Sequence, residues 1–443
     1  MSADPRAALA ARIGREYAES WGTQTEARAG AARRQRALEA LVSQGLPSSR
    51  DENWKYANLR PLERARFAAP RLEPSRDALI ATLPPAIAGY ARYTFIDGVR
   101  LEDAGGDSKT ASPGLLNSLA SESGRRALAD LDSIADAGPD TRFALLNEAF
   151  APDGALIRVP ASAAGVARIE LVFVSVAAAQ AGASHPRVLV RLEPGARLDL
   201  IERHLSSGSG SGFVNSAVQV ALEAGATLNH YRVQQLGARA VWFDTLSAEL
   251  ASRATYRAYC ASLGAQSARS TLQVRLGGEG AQLALHAVSV GDRQQVLDGY
   301  ARVEHAAPAT RTEETFRGIA AGRARVAFNG KIVVRAGAHK TDSSQSLRGL
   351  LAGPEAEIDV RPQLEIHTDD VRCSHGATAG KLDEAMLFYL LTRGLEPDAA
   401  QRLLKWAFLE DVVARIEIVE LRRQIEASLA GQMHEADALQ ELL

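Results

Sequence analysis

The chain has only two cysteines among its 443 residues, Cys260 and Cys373. Two thiols so far apart indicate no disulfide framework and are typical of a reducing compartment. The formal net charge of -2 gives no basic surface for nucleic acid or for an anionic membrane. No apolar run reaches the length of a membrane span, and the N-terminus lacks the apolar stretch of a targeting peptide. We therefore predict a cytoplasmic protein that binds neither nucleic acid nor membranes.

The chain also lacks a nucleotide-binding loop. The Walker A pattern G-x-x-x-x-G-K-[ST] needs its first glycine to form an anion nest and its final hydroxyl to hold magnesium. The best match places His375 at the first glycine and Leu382 at the hydroxyl position. The loop at 206–212 likewise fails as a hydrolase elbow, because Gly210 occupies the position of the nucleophilic serine. Nucleotide hydrolysis by this chain is not expected.

Sequence texture divides the chain into three regions. Residues 5–45 are rich in Ala, Arg, Glu and Leu and predict one or two helices. Further helical patterns lie at 124–136 and 140–150. From about residue 154, short alternations of Val, Ile and Leu broken by Gly and polar turns predict strands. The predicted division is a helical region with mixed segments at 1–150, a β core at 151–380 and a helical region at 381–443.

The C-terminal region is helical again after Leu382. One predicted helix ends at Gly394, a C-cap glycine, and Pro397 suits the first turn of the next. The second helix carries an apolar stripe at helical spacing, formed by Leu403, Leu404, Ala407, Phe408, Val412 and Ile416. Such a stripe packs either on the protein's own core or against a partner.

A degenerate repeat runs through the β region. Each unit is an alternating strand, a turn with small residues and a second alternating strand, at 188–204, 218–233, 245–260 and 272–288. The turns are marked by Ala196, Ala226, Arg253 and Ala281, at spacings of 30, 27 and 28 residues. Repeats of this length made only of strands favour a solenoid, in which each coil buries its face against the next. A β-sandwich with regular hairpins is the alternative.

Cys373 and His375 stand two positions apart in a polar segment. On an extended strand both would point to one face, where a thiol and an imidazole can pair as nucleophile and base. The preceding alternation could collect Glu365, His367 and Asp369 on one face, and thiolate with imidazole suits zinc or iron. A conventional four-cysteine site cannot form from this chain alone, so missing ligands would come from another subunit. A buried cysteine with a capping histidine is the structural alternative.

Residues 330–395 carry a series of motifs that resembles one protein family. The motifs read G-K-I-x-V-R, K-T-D-x-x-Q-S, P-x-L-E-I, D-D-V-x-C-S-H-G-A-T and L-D-E-x-x-L-F-Y-L-x-x-R-G, and 51–59 adds a W-K-Y segment. Together they resemble the SufD family, within the SufB/SufD superfamily of iron–sulfur cluster assembly proteins. The resemblance is close over the last third of the chain and extends over the remainder in texture and length.

The resemblance implies a right-handed parallel β-helix core between N-terminal and C-terminal helical domains. It also implies a non-catalytic subunit in complex with SufB and the ATPase SufC. Clusters would form at the SufB–SufD interface, where the histidine matching His375 faces a SufB cysteine and Cys373 falls at the cysteine of the same motif. These two residues would bind iron or a transient Fe–S cluster, with no cofactor held stably by the chain alone. The implied SufC-docking residues on the C-terminal helices are Leu403, Trp406, Phe408 and Val412.

The paralogue SufB is the nearest alternative. SufB reads H-E-A-T from the position of His375 and carries a thiol near Ser346, so Gly376 and Ser346 favour the SufD-type half of the site. A β-helix carbohydrate-active enzyme would need paired carboxylates or calcium-bound acids with aromatics, and aromatics make up only 5% of this chain. A purely structural solenoid would leave the polar run at 365–375 without a role.

Two further expectations concern the end of the β region. The isolated chain is expected to be able to form a homodimer through the edge that the resemblance assigns to SufB. Lys340, Asp342 and Arg348 are interpreted as residues that hold the turns of the solenoid rather than as chemical groups.

Overall fold

A computed structural model of the chain describes residues 5–21, 28–68, 83–101, 115–121, 124, 126, 139–176, 182–207 and 212–433. The strands in these residues are β1 (Ala91–Ile96), β2 (Val99–Arg100), β3 (Leu116–Ser118), β4 (Ala155–Val159), β5 (Ala167–Val176), β6 (Ala183–Ser184), β7 (Arg187–Leu192), β8 (Arg197–Ser207), β9 (Phe213–Leu222), β10 (Thr227–Gln235), β11 (Val241–Leu250), β12 (Thr255–Ser262), β13 (Ser267–Leu276), β14 (Gln282–Gly291), β15 (Val296–His305), β16 (Arg311–Ala320), β17 (Arg325–Val334), β18 (Thr341–Leu351), β19 (Glu357–Ile366) and β20 (Val371–Gly380). The α-helices are α1 (Pro5–Trp21), α2 (Arg28–Gln44), α3 (Arg142–Phe150), α4 (Glu384–Thr392), α5 (Pro397–Val413) and α6 (Val419–Gln432). None of the helices in the described ranges is long and apolar enough to span a bilayer.

The strands form two sheets that face each other. The first sheet has the order β2-β1-β5-β8-β10-β12-β14-β16-β18-β20, and the second has the order β19-β17-β15-β13-β11-β9-β7-β4-β3. From β9 onward each strand pairs in parallel with the strands two places away along the chain, as β10 does with β8 and β12. A sandwich of hairpins would instead pair consecutive strands in antiparallel fashion. The predicted β-helix core with helices at both ends is therefore confirmed, with about seven coils.

The turns of the solenoid correct the register of the predicted repeat. The pairing aligns four buried alanines at the starts of β8, β10, β12 and β14, namely Ala196, Ala226, Ala254 and Ala281. The sequence prediction took Arg253 in the third unit, which is one residue too early. Arg253 has a φ of 57° and is the counterpart of three glycines with the same left-handed backbone, Gly195, Gly225 and Gly280. A non-glycine residue in the left-handed conformation costs roughly 1–2 kcal/mol, so arginine is not expected at this turn position. For this reason the register of the third unit could not be read from the sequence.

Aliphatic and aromatic side chains fill the space between the two sheets. Leu246, Leu276 and Val303 are fully buried there. Phe316 of the first sheet stacks on Phe328 of the second with 4.5 Å between ring centroids. Each such side chain contributes about 1.5–3 kcal/mol when it leaves water, so this interior column stabilises every coil against its neighbours.

The terminal helices cover the outer faces of different sheets. Trp54 of the W-K-Y segment is buried against Phe143 and Phe243, at ring-centroid distances of 5.3 and 6.4 Å, over the second sheet. Leu409 and Val413 of α5 lie in one buried cluster with side chains from the outer face of the first sheet. At the end of the solenoid no residue of β19 or β20 is buried; most residues of β19 are half-buried and most of β20 are exposed.

Most of the helices predicted from sequence are present. Helices α1 and α2 confirm the helical pattern at 5–45, and α3 confirms the one at 140–150. The pattern at 124–136 lies outside the described residues apart from 124 and 126. Helix α4 ends before Gly394, which has a φ of 89°, and Pro397 begins α5 as predicted.

Two segments differ from the predicted organisation. Strand β1 falls within the predicted N-terminal region but pairs in parallel with β5, so the first sheet extends back before residue 150. Lys340 lies in the turn before β18, where its backbone N–H donates to the carbonyl oxygen of Asp370 at 2.6 Å. Asp342 and Arg348 lie instead on the exposed face of β18, so the turn-holding interpretation is wrong for these two residues.

Candidate functional site

The solenoid ends at two long strands. The outer edges of β19 and β20 have no strand partner among the described residues. Both strands are ten residues long, whereas the opposite ends of the sheets stop at β2 and β3, with two and three residues. A long free edge presents a row of backbone N–H and C=O groups that can pair with another chain. This end of the solenoid is therefore suited to an interface.

Cys373 and His375 lie on the same free edge. Cys373 packs against the hydrophobic interior, as does Val371 two residues earlier. Because side chains alternate along a strand, His375 belongs to the same inner face. His375 is exposed, since no further coil covers it. The structure thus places the thiol and the imidazole on one face at the mouth of the solenoid, with Cα atoms about 6–7 Å apart.

Polar side chains of the preceding coil lie directly behind these two residues. Ser343 is in register with Cys373, and Gln345 is in register with His375. Both Ser343 and Gln345 are buried, while the alternate residues of β18 between them and around them are largely exposed. One coil deeper, Glu314 is in register with Gln345. A column of polar groups therefore leads from the mouth into the interior of the last coils.

The thiol of Cys373 is protonated in the isolated chain at neutral pH. Partial burial raises its pKa, with a smaller contribution from the carboxylate of Asp342. A nucleophilic cysteine needs the opposite, a pKa lowered by a positive neighbour or a paired base. The environment therefore does not support cysteine catalysis, and it leaves the thiol to be deprotonated when a metal binds.

The acidic part of the segment turns away from the mouth. Leu364 packs in the interior, so the adjacent Glu365 lies on the other face of β19, within 2.8 Å of Lys331 and 3.0 Å of His367. The bonds from Lys331 and His367 lower the pKa of Glu365 to about 2. Within the described ranges, no group of three or more His, Cys, Asp and Glu residues is arranged to hold a metal ion. The predicted grouping of Glu365, His367 and Asp369 with Cys373 and His375 is therefore wrong.

The two residues that separate the SufD and SufB patterns lie on a different face. Ser346 and Gly376 are in register with each other, one position after Gln345 and His375 respectively. By the alternation of the strands they belong to the outer face of the first sheet. The hydroxyl of Ser346 accepts a hydrogen bond from Arg317 at 3.2 Å. A carboxylate at position 376 would therefore project on the opposite side of the strand from His375.

The second cysteine is remote from the mouth in the fold. Cys260 on β12 borders a cavity of about 50 Å³ between the two sheets, which leaves it some accessible surface although protein surrounds it. Burial raises the pKa of its thiol to about 12. Both cysteines are free thiols.

The residues predicted to dock a partner on the C-terminal helices divide into two groups. Val412 is only 2% exposed, and Trp406 and Phe408 are partly buried against the same cluster that anchors α5 to the first sheet. Leu403 is exposed. Val412 is therefore a core residue that is inaccessible at the surface, and the stripe mainly holds α5 in place.

Helix α4 presents the exposed apolar surface of this region. Its N-cap, Asp383, accepts hydrogen bonds from the backbone N–H groups of Ala385 and Met386 at 2.9 and 3.0 Å. None of its residues is buried, and Phe388 is 68% exposed. The exposed apolar side chains are Met386, Phe388, Tyr389 and Leu391, with Leu403 on the adjacent helix. We name these five residues the α4 surface. Several exposed large apolar side chains on one helix mark an interaction site in a folded protein.

Sequence reasoning missed Gln345 and Glu314 as neighbours of the site. Gln345 belongs to the K-T-D-x-x-Q-S motif, so the sequence showed the motif but assigned no role to this residue. Glu314 lies in no recognised motif. Its only sequence signal is a carboxylate at an alternate position between Thr312 and Phe316, which identifies an interior group once the strand register is known.

Comparison with known proteins shows which family the chain resembles. Residues 173–408 match the family model described as the SufBD core domain of SUF system FeS cluster assembly. The chain is 29% identical to the iron–sulfur cluster assembly protein SufD of Escherichia coli over 404 residues, which cover 90% of this chain and 92% of that protein. It is 28% identical to an iron–sulfur cluster assembly SufBD family protein of Synechocystis, over 89% of each chain. Protein ABCI7, chloroplastic, of Arabidopsis thaliana is 26% identical over 56% of this chain and 53% of its own length.

Proposed function

Because the chain belongs to the SufBD family of iron–sulfur cluster assembly proteins, we propose that it is the SufD-type subunit of a complex with SufB and the ATPase SufC. In this role it performs no turnover of its own and contributes to the site where a cluster forms. The identity to E. coli SufD over nearly the whole chain supports the SufD-type assignment over the SufB scaffold. Gly376, which stands where SufB has a carboxylate, supports the same choice.

The observation that carries the proposal is the pairing of a free strand edge with His375. The edges of β19 and β20 can continue both sheets into a partner solenoid, and His375 then lies at the junction. Cys373 and His375 supply two soft or borderline ligands, and SufB supplies the others that a cluster needs. The nascent cluster is cargo of the complex. In the absence of SufB, the same edge can pair with a second copy of this chain.

The first test replaces His375 by alanine in the co-expressed SufB–SufC–SufD complex. We expect cluster absorbance under anaerobic conditions to fall at least about tenfold, because even an outer-shell partner of a metal-ligating histidine is worth 10- to 100-fold. The complex should still assemble, as judged by co-purification of all three chains. Ser374→Ala is the matched control, since Ser374 is the adjacent exposed residue on the outer face of β20. Full cluster yield from His375→Ala would refute the role of this residue.

The α4 surface supports docking of SufC. Its side chains are apolar and exposed, whereas Phe408, Val412 and Ile416 of the predicted stripe pack against the protein's own core. Buried aromatic anchors dominate the energy of protein interfaces, with losses of 2 kcal/mol or more when a central one is removed. Among the exposed aromatic and aliphatic residues in the part of the chain that the structure describes, Phe388 has the largest exposed fraction. It is therefore the best candidate for such an anchor.

The second test replaces Phe388 by aspartate. We expect SufC binding to weaken by about 30-fold or more, because a charge replaces an apolar anchor. Val166→Asp is the control, since Val166 is also an exposed apolar residue but lies before β5, outside the C-terminal helices. Undiminished co-purification of SufC with Phe388→Asp would place the docking surface elsewhere. His375→Ala should retain SufC, so the two tests separate docking from cluster formation.

A further inference from the structure

Glu314 is a buried carboxyl group that the proposed function does not use. It is only 1% exposed, and it lies on β16, inside the last coils of the solenoid. Its Oε2 accepts a hydrogen bond from Nε2 of Gln345 at 2.5 Å, whereas its Oε1 has no hydrogen-bond partner in the part of the chain that the structure describes. Burial raises the pKa of this carboxyl to about 7. A group of this kind is costly for stability, which suggests a role outside folding.

The opposite sheet makes room for the Glu314–Gln345 pair. Gly330 on β17 faces both side chains, and a Cβ atom there would lie 2.7 Å from Nε2 of Gln345 and 2.8 Å from Oε2 of Glu314. Any larger residue at position 330 would therefore force the two polar groups apart. Gly330 opens the G-K-I-x-V-R motif, and Gln345 belongs to the K-T-D-x-x-Q-S motif. Two motif residues without another role thus meet at one buried carboxyl.

Gln345 lies between Glu314 and His375 in the first sheet. The three residues are in register on consecutive parallel strands, so each Cα is about 4.8 Å from the next and the column is about 10 Å long. The Gln345 amide donates its N–H to Glu314, and its oxygen Oε1 has no partner among the described residues. An amide oxygen accepts hydrogen bonds. A neutral imidazole carries one ring N–H, and only that group of the ring can donate to the amide oxygen.

We propose that Gln345 and Glu314 are positioning residues for His375. Oε1 of Gln345 accepts a hydrogen bond from one ring N–H of His375, which leaves the lone pair of the other ring nitrogen free to bind metal at the solenoid mouth. Glu314 fixes the direction of the Gln345 amide by accepting from its N–H. The inference rests on the proposed role of His375 as a ligand and extends it to the residues that hold the imidazole in its binding tautomer.

The carboxylate is needed because an amide can turn over. Its oxygen and nitrogen have nearly the same shape, so only hydrogen-bond partners decide which of them faces His375. If Gln345 presented its N–H to the imidazole, it would occupy the lone pair that a metal needs. Metal-ligating histidines generally donate their second ring N–H to a carbonyl or carboxylate, which fixes the tautomer and orients the ring. Glu314 ensures that Gln345 presents a carbonyl.

The test is the ring tautomer of His375 in the full-length chain without metal. The chain is labelled with ¹⁵N-histidine, and the His375 ring signals are identified by their absence in His375→Ala. The spectra are recorded above the pH at which the ring signals of His375 stop changing, so the ¹⁵N shifts report the ratio of the two neutral tautomers. We expect Gln345→Leu and Glu314→Leu to change this ratio by about five- to tenfold, the effect of one uncharged hydrogen bond. Glu314→Gln should restore the wild-type ratio only in part, because its amide can present either its oxygen or its N–H to Gln345.

Gln363→Leu is the matched control. Gln363 is a second amide on the last coil, where its Nε2 donates to Asn329 at 2.8 Å, but it belongs to β19 in the other sheet. The tautomer ratio of His375 should be unchanged in this variant. Thermal unfolding and light scattering establish that each variant is folded and has the wild-type oligomeric state. If Gln345→Leu fails to fold, the Glu314→Leu and Glu314→Gln pair gives the same comparison.

Two outcomes would overturn the inference. One is a His375 tautomer ratio in the folded Gln345→Leu or Glu314→Leu variant that stays within twofold of wild type. The other is an equal change in Gln363→Leu, which would show that any loosening of the last coil moves the imidazole. Neither result bears on whether His375 itself is required for cluster formation. Conversely, full cluster yield from His375→Ala would remove the proposed ligand role while leaving the measured tautomer effect intact.

Discussion

The Glu314→Gln substitution should remove a pH-dependent instability from the chain. Burial raises the pKa of Glu314 from its ordinary value of 4.5 to about 7 in the folded protein. The folded state therefore holds this proton more tightly than the unfolded state. For an acid with a raised pKa, the chain is most stable at low pH, and stability is lost as the pH rises from the unfolded pKa through the folded one. Glutamine has the same shape and does not titrate.

The size of the effect follows from the two pKa values. At 1.36 kcal/mol per pH unit, a carboxyl with a pKa of 4.5 when unfolded and about 7 when folded loses about 2–3 kcal/mol of stability between pH 5 and pH 8. The entropy of unfolding is about 2.1 cal/mol/K per residue, so for a chain of this length 1 kcal/mol shifts Tm by about 1 °C. The Tm difference between Glu314→Gln and wild type should therefore be about 2–3 °C larger at pH 8 than at pH 5.

The assay is calorimetry of both proteins at the two pH values. Other groups that titrate in this range, such as Asp97 with a pKa of about 6, are the same in both proteins and cancel in the difference. Glu193→Gln is the control, because hydrogen bonds from Arg158 and from the backbone of Ala161 lower the pKa of Glu193 and the group is ionised at both pH values. Its Tm difference from wild type should not depend on pH. A Glu314→Gln difference as flat as that of Glu193→Gln would refute the assignment of Glu314 as a buried, proton-retaining carboxyl.

Two further predictions concern packing in the last coils and the reactivity of the two thiols. Gly349→Ala should lower Tm by about 1–3 °C, because its Cβ would lie 2.0 Å from Cγ2 of Ile358 and overpacking costs about 1–3 kcal/mol. Gly376→Ala should leave Tm within about 1 °C of wild type, since no heavy atom lies within 4 Å of the added Cβ. If calorimetry showed the same loss of Tm in both variants, the close packing of β18 on β19 would be contradicted. Iodoacetamide at pH 8 should modify Cys373 slowly and Cys260 only after unfolding, because a thiol with a pKa of about 12 has on the order of a thousandfold less thiolate than a free cysteine. Mass spectrometry of the alkylated peptides decides the order, and rapid labelling of Cys260 in the folded chain would refute its burial.

The architecture could be predicted from sequence because each coil repeats the same physical solution. Alternating apolar residues followed by a small turn residue recur in every unit, and parallel stacking is the arrangement that buries all of these faces at once. The exact register could not be predicted, because Arg253 adopts a left-handed turn conformation that a sequence pattern assigns to glycine. One residue of uncertainty exchanges the inner and outer faces of a strand. In the same way Glu365 and His367 share a face as the alternation predicted, but it is the outer face of β19, because Leu364 takes the interior position.

The C-terminal helices are a second case in which the sequence pattern could not decide which face is buried. Helical spacing identified an apolar stripe on α5 but could not decide whether it faced the solenoid or a partner. The structure assigns Val412 to the core and leaves α4 exposed, although α4 is the more continuously apolar helix. A helix that is apolar on all sides is normally buried. Its exposure here supports the proposed docking surface, and only the position of α4 relative to the solenoid could reveal that exposure.

The polar column at the mouth could not be found from motifs because its members are far apart in sequence and come from successive coils. Glu314, Gln345 and His375 are separated by intervals of 31 and 30 residues, which vary elsewhere in the solenoid with the lengths of the turns. Parallel pairing converts this separation into neighbouring positions on one face. A carboxyl that weakens the fold at neutral pH, a glycine that makes room for it and an amide with a free oxygen all meet behind one exposed imidazole. Stability alone would favour an apolar residue at position 314, so the column is better explained by the orientation it gives to His375.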